Sequence, residues 1–105
     1  MKLPEQINIM GYMFDVEWVS DKDMRNFIGR DEKMLGAVNT TQQRILMNEE
    51  SVWRGDRKLE VLMHEVIHAV SDMMGLDFDE RTVERLGFGL TPTIKQLIQG
   101  GAEEK

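Results

Sequence analysis

Residues 57–74 repeat their apolar side chains every three or four positions, and that period commits this part of the chain to a helix with two unlike faces. At 100° per residue, Leu59, Leu62, Met63, Val66, Ile67, Val70, Met73 and Met74 fall on one broad face. Glu60, His64, Glu65, His68, Ser71 and Asp72 fall on the other. The apolar face has to be covered by another part of the chain. Gly55 or Asp56 is suited to cap the start of the helix, and Gly75 to end it in a left-handed conformation. Residues 76–78 make a short connector, so a second helix beginning near Asp77 or Asp79 is expected to return roughly antiparallel. It carries Val83, Leu86, Leu90, Ile94 and Leu97 on one stripe, and Pro92 is expected to kink it or restart it after Leu90.

The stripe of the returning helix is expected to pack on the first helix, and the first half of the chain looks strand-like. Residues 7–10 and 12–19 read as strands about a turn at Gly11, with Phe14, Val16 and Trp18 on one parity. Residues 35–39 and 44–48 are β-prone and joined by Thr40-Thr41-Gln42-Gln43, which has the length and polarity of a hairpin connection. Residues 21–32 fit either a helical turn or a loop, with Met24 and Phe27 at helical spacing before Gly29. Strands followed by helices imply an α+β fold: a small antiparallel sheet, the histidine-bearing helix, and a second, roughly antiparallel helix. One domain over residues 1–99 is expected, with residues 100–105 a frayed tail.

Composition restricts the chemistry. The 105 residues contain no cysteine and two histidines, so any metal site must draw on His, Asp or Glu. Thirteen Lys and Arg against 19 Asp and Glu leave a net charge of -6, which argues against nucleic acid as a partner. No apolar run is long enough to span a bilayer, and the start lacks the plan of a signal peptide, so no membrane association and a cytoplasmic location are expected.

His64-Glu65-Val66-Ile67-His68 is an HExxH pattern on that helix. Imidazoles four residues apart project from one face with Cβ atoms ~5–6 Å apart, so both can bind one zinc ion. Glu65 lies about 100° further round, where it can take a proton from a zinc-bound water whose pKa falls to about 7. That is the chemistry of peptide-bond hydrolysis. The pattern is short, and an amphipathic surface helix carrying two histidines and a glutamate by coincidence is the plain alternative. Both histidines of the chain fall in the motif, its flanking residues Val61, Leu62, Ala69 and Val70 are uncharged, and no proline interrupts it.

A tetrahedral zinc needs a third protein ligand. On the helical wheel Glu80 lies nearer the apolar stripe of the returning helix, whereas matching heights along strictly antiparallel helices favours Glu84. Glu80 also has a structural reading, because Asp77 followed by Glu80 is a capping-box pattern. Asp72, one turn beyond His68, is a further candidate as ligand or as partner of an imidazole nitrogen.

Residues 59–90, LEVLMHEVIHAVSDMMGLDFDERTVERLGFGL, resemble the small zincin-like metallopeptidases of phages and prophages, minimal gluzincins related in character to the ImmA/IrrE-like and SprT-like groups. The resemblance implies a zinc metallopeptidase with Zn2+ held by His64, His68 and Glu80, with Glu65 as general base. Glu84 is kept in reserve as ligand. It also implies that the hairpin of residues 36–47 offers an edge strand to an extended peptide or protein substrate. Two features depart from the pattern: Pro92 interrupts the second helix, and no His or Tyr outside the motif is suited to stabilise an oxyanion, Tyr12 being the only tyrosine. The runner-up function is a non-enzymatic accessory protein in which the same helices form a metal-stabilised binding module.

Other features have simpler readings. Arg54-Gly55-Asp56 spells an adhesion tripeptide but suits helix capping, the nine methionines suit core filling, and Trp18 and Trp53 suit burial beside a strand and a helix start. The acidic run Asp77, Asp79, Glu80 and Glu84 lacks the spacing and glycine of an EF-hand loop.

Overall fold

A two-residue turn opens the fold. In the computed structural model, which describes residues 2–52 and 55–103, β1 (Gln6–Ile9) and β2 (Tyr12–Val19) pair antiparallel across Met10 and Gly11. Both turn residues have positive φ, 55° and 91°, and the Gly11 N–H donates to the Asn8 side chain at 2.8 Å. Positive φ at both positions matches the right-handed twist of the flanking strands.

Residues 21–32, which fit helix or loop in the sequence, contain α1 (Asp21–Ile28). Its ends explain why: the Ser20 hydroxyl accepts from the Asp23 N–H at 3.1 Å, and Gly29 closes the last turn at φ 75°. This helix reverses the chain across the sheet, and β3 (Gly36–Asn39) and β4 (Arg44–Asn48) follow as the expected hairpin. The strand order is β1-β2-β4-β3, and β2 pairs with β4 in parallel. The sheet is therefore mixed, a correction to the antiparallel expectation. With α1 crossing over, β4 starts from the same end of the sheet as β2, which a direct hairpin would forbid. The bond between the parallel strands is reinforced by Arg44, whose guanidinium grips Glu17 at 2.7 and 3.0 Å and holds that carboxyl below its ordinary pKa.

β4 is buried on both faces. Ile45 and Met47 join Ile9, Phe14, Val16 and Leu62 in the main core, on the side covered by α2 (Gly55–Met74), while Leu46 and Met24 are buried outside that cluster. Buried Asn48 ties the layers together. Its Nδ2 donates to Asp21 and to the Met34 carbonyl at 3.0 and 2.9 Å, and its Oδ1 accepts from the Glu50 N–H at 3.0 Å.

α2 presents its expected apolar face to the sheet, and part of its polar face is covered as well. Glu65 and Ser71 are buried together with Val61 and Ala69. Gly75 ends α2 in a Schellman arrangement, with the Leu76 N–H donating to Ser71 O at 2.9 Å and the Gly75 N–H to Asp72 O at 3.3 Å. α3 (Glu80–Glu103) packs against α2 as one unbroken helix that includes Pro92 and runs through the expected tail as far as Glu103. Three apolar placements differ from expectation. Trp18 is 38% exposed near the end of β2 with Lys58 over its ring, Met74 is 54% exposed, and Leu86, Leu90 and Leu97 of α3 face solvent. The stripe of α3 that is covered is Val83, Gly87 and Thr91, because small residues at i, i+4 and i+8 let the helix approach α2 closely. Trp53, Arg54 and the side chains of Gly55 and Asp56, and with them the expected cap, lie outside the described residues.

Asn48→Ala removes three side-chain bonds and strands the Met34 carbonyl, the Asp21 carboxylate and the Glu50 N–H. It should lower stability by about 2–4 kcal/mol, measured by urea unfolding, whereas Gln42→Ala on the exposed hairpin turn should change it by less than about 0.5 kcal/mol.

Candidate metal site and cleft

The connector between α2 and α3 decides what the histidines meet. Residues 76–79 are not helical, and up to ~3.3 Å per residue carries the chain back about 13 Å along α2. His68 stands seven helical residues before Gly75, a rise of ~10 Å, so the first residue of α3 arrives level with it. The assumption that α3 begins at Asp77, on which matching heights favoured Glu84, does not hold. Asp79 is the cap: its Oδ1 accepts from the Thr82 N–H at 2.8 Å, hydrogen bonding from the Thr82 side chain and then from that N–H lowers its pKa, and Phe78 is tethered through its N–H to the Ser71 hydroxyl at 2.8 Å. Glu80 is thereby released from the capping-box role and heads the covered stripe of α3.

Its two carboxylate oxygens divide between the two imidazoles. Oε1 lies 2.6 Å from His64 Nε2 and Oε2 lies 3.0 Å from His68 Nε2. The rings sit edge to face with centroids 4.8 Å apart. The three ligating groups all lie within 4.8 Å of one another, and among the described residues no other group of three or more His, Asp or Glu side chains is so arranged. Ligand atoms on a tetrahedral zinc, with bonds of ~2.0–2.1 Å, stand about 3.3 Å apart. Opening the 2.6 Å contact by about 0.7 Å and the 3.0 Å contact by about 0.3 Å reaches that spacing, with a cation replacing the hydrogens that the Nε2 atoms share with Glu80. The donor set of two imidazoles and one carboxylate suits zinc.

Glu65 is buried beside this cluster. It is 7% exposed, packed where α2 meets the edge strand, and its pKa is pushed up to about 8, first by burial and then by the negative charge of Glu80. The close approach depends on Gly36. A Cβ built there would stand 2.9 Å from Val61 Cγ1 and 3.1 Å from both Cγ and Oε2 of Glu65. In the sequence Gly36 is only the first residue of a hairpin, and nothing local marks it as a contact point for a glutamate 29 positions away.

Two cavities share His64, Glu65, Glu80, Met34 and Gly36 as common walls, so the cluster sits at the middle of a cleft beside β3. One, about 410 Å³, runs past Arg57, Glu60, Glu84 and Phe88; the other, about 540 Å³, runs past Phe27, Val38, Thr40 and Asp72. Glu84 thus lines the cleft without joining the three-residue cluster, and Asp72 accepts a hydrogen bond from the Thr40 hydroxyl. Tyr12 is exposed at the start of β2 and is in neither lining. β3 is an edge strand. Because the Asn48 N–H bonds to Leu35 O, the hydrogen-bonded positions are Leu35, Ala37 and Asn39, and the N–H and C=O groups of Gly36 and Val38 face the open edge.

Two predictions arise from this packing. Gly36→Ala should cost about 1–3 kcal/mol of stability, read by thermal unfolding, because Val61 is stiff and has to move. In metal-free protein, Glu65 holds its proton in the folded state between pH 4.5 and about 8 but loses it on unfolding. The folded state then binds more protons, so stability must fall as pH rises through that window, by up to about 5 kcal/mol. Glu65→Gln should flatten that part of the stability curve, and an unchanged slope in this variant would assign the dependence elsewhere.

No protein-family model, no curated protein and no solved structure matches the chain, so the reading of the site rests on its own geometry.

Proposed function

We propose that the protein is a zinc-dependent metallopeptidase in which His64, His68 and Glu80 hold the ion and Glu65 is the general base. The observation that carries this reading is the convergence of both Nε2 atoms on one carboxylate, beside a buried glutamate and an open strand edge. The likeness of residues 59–90 to small phage-type zincin-like peptidases supports it. A bound zinc ion would supply Lewis acidity toward the scissile carbonyl and toward water. Glu65, ionised once a cation beside Glu80 offsets the negative charge there, would take the proton of the attacking water and return it to the leaving nitrogen. Gly36 and Val38 hold the peptide extended through their free backbone groups. The substrate on this reading is a cytoplasmic protein, and a regulatory protein is the expectation drawn from the likeness.

One observation favours the runner-up, a non-enzymatic module. The 2.6 and 3.0 Å contacts are hydrogen-bond distances that pin α3 to α2 without any cation. The two readings separate on zinc content, measured by elemental mass spectrometry on tag-free protein. The peptidase reading expects one zinc per chain, lost in His68→Ala and weakened more by Glu80→Gln than by Glu84→Gln. It also expects Glu65→Gln to keep zinc while peptide cleavage falls by about 10²–10⁴. Zinc retained with undiminished cleavage in Glu65→Gln removes the catalytic assignment, and no zinc uptake at neutral pH removes the metal site.

A further inference from the structure

We propose that α3 pairs antiparallel with α3 of a second copy of this chain, through a seam of Leu86, Leu90, Thr93 and Leu97. The proposal goes beyond the metal site and does not depend on it.

The chain exposes more surface than a lone domain of its mass. A folded monomer of 12.2 kDa is expected to expose about 6,100 Å². This one exposes 6985 Å², about 900 Å² more, and an interface of standard size takes about 800 Å² from each partner. α3 is where the uncovered apolar surface lies. Thr91 is its last buried residue among the described side chains, and residues 92–103 run on for three turns, or ~18 Å. Leu97, on that overhang, is 68% exposed. An isolated helix of three turns is marginal in water, so a partner along its apolar flank supplies stability that bonds within the helix do not.

Spacing and charge say which partner fits. Leu86, Leu90, Thr93 and Leu97 follow one another at four, three and four residues, the alternation of a coiled-coil seam. That order reads the same in both directions. A two-fold axis between residues 91 and 92 therefore sets Leu86 against Leu97 of the second copy, and Leu90 against Thr93. It also lays the overhanging half of each α3 along the half of the other that packs on α2. Residues 80–103 carry Glu80, Glu84 and Glu103 against Arg81, Arg85 and Lys95, so this helix is neutral and the net charge of -6 lies elsewhere in the chain. Two such helices meet without the repulsion that two acidic surfaces would suffer. Beside the seam Thr82, Gly89 and Gln96 are uncharged, and a Cβ at Gly89 would meet nothing within 4 Å, which leaves room for the second helix. On the helical wheel the seam lies about 90° from the stripe of Val83, Gly87 and Thr91, and about 170° from Phe88, which lines the cleft. Both clefts stay open in the pair.

Sedimentation equilibrium of the tag-free full chain, from micromolar to millimolar concentration, tests this. The expected mass at the upper end is twice 12.2 kDa. Leu97→Glu lies beyond the part of α3 that packs on α2 and enters the pair twice, so it should weaken association by at least about a hundredfold while cooperative thermal unfolding persists. Phe88→Ala, away from the seam, should leave association unaltered. Thr93→Lys, at an exposed position, reads the same seam should Leu97→Glu not fold. Orientation is read by oxidative cross-linking, for which a chain without cysteine gives no background. A mixture of Leu86→Cys and Leu97→Cys chains should yield a covalent dimer, and each variant alone should not. A chain that stays monomeric at millimolar concentration, an assembly larger than two, or seam variants that associate as wild type overturns the proposal. So does efficient cross-linking of each cysteine variant with itself, which would mean a parallel pair.

Discussion

The missing Cβ at Gly36 is the contact on which the arrangement of sheet, helix and cleft depends. It lets α2 lie against the edge strand so closely that the Glu65 carboxylate and the Val61 methyl occupy the space a side chain would take. Burial of Glu65 follows, and with it the elevated proton affinity that a general base needs at neutral pH. The same approach puts β3 and the histidines in the walls of one cleft. An ionised carboxylate in that position is costly, so the fold carries a destabilising group where chemistry is proposed.

The second determinant is how α3 docks. A stripe of Val83, Gly87 and Thr91 is too small to hold α2 at leucine distance, so the helices close up and Glu80, at the head of that stripe, reaches both imidazoles. The larger residues Leu86, Phe88, Leu90 and Leu97 are left facing outward. Two carboxylates, Glu65 and Glu80, then stand close enough for one to raise the pKa of the other, a repulsion that a bound cation would relieve. No helix among the described residues is long and apolar enough to cross a membrane.

Much of this was legible locally. The 3.6-residue period of α2, the Gly75 stop, the hairpin around residues 40–43 and the turn at Gly11 all follow from spacing and turn chemistry within a few residues. The pairing of Glu80 with His64 and His68 was half legible, because the wheel and the matching of heights pointed to different glutamates. The Asp79 to Thr82 cap, a local signal, resolves it by moving the start of α3. Trp18 and the α3 leucines were misjudged for one reason: periodicity says which residues share a face and is silent on whether a partner covers it.

By itself, the sequence determined the strands and α2, the absence of thiol chemistry, and the two imidazoles on one helical face, since each depends on residue type and on distances of one or two turns. Only the tertiary structure decided that β2 and β4 run parallel, that Glu80 is the residue meeting both histidines, that Glu65 is buried against Gly36, and that Phe27 walls one half of the cleft. Those facts join residues 12 to 29 or more positions apart through a crossover helix, a connector and a missing side chain, and no local pattern encodes which distant surfaces will close on one another.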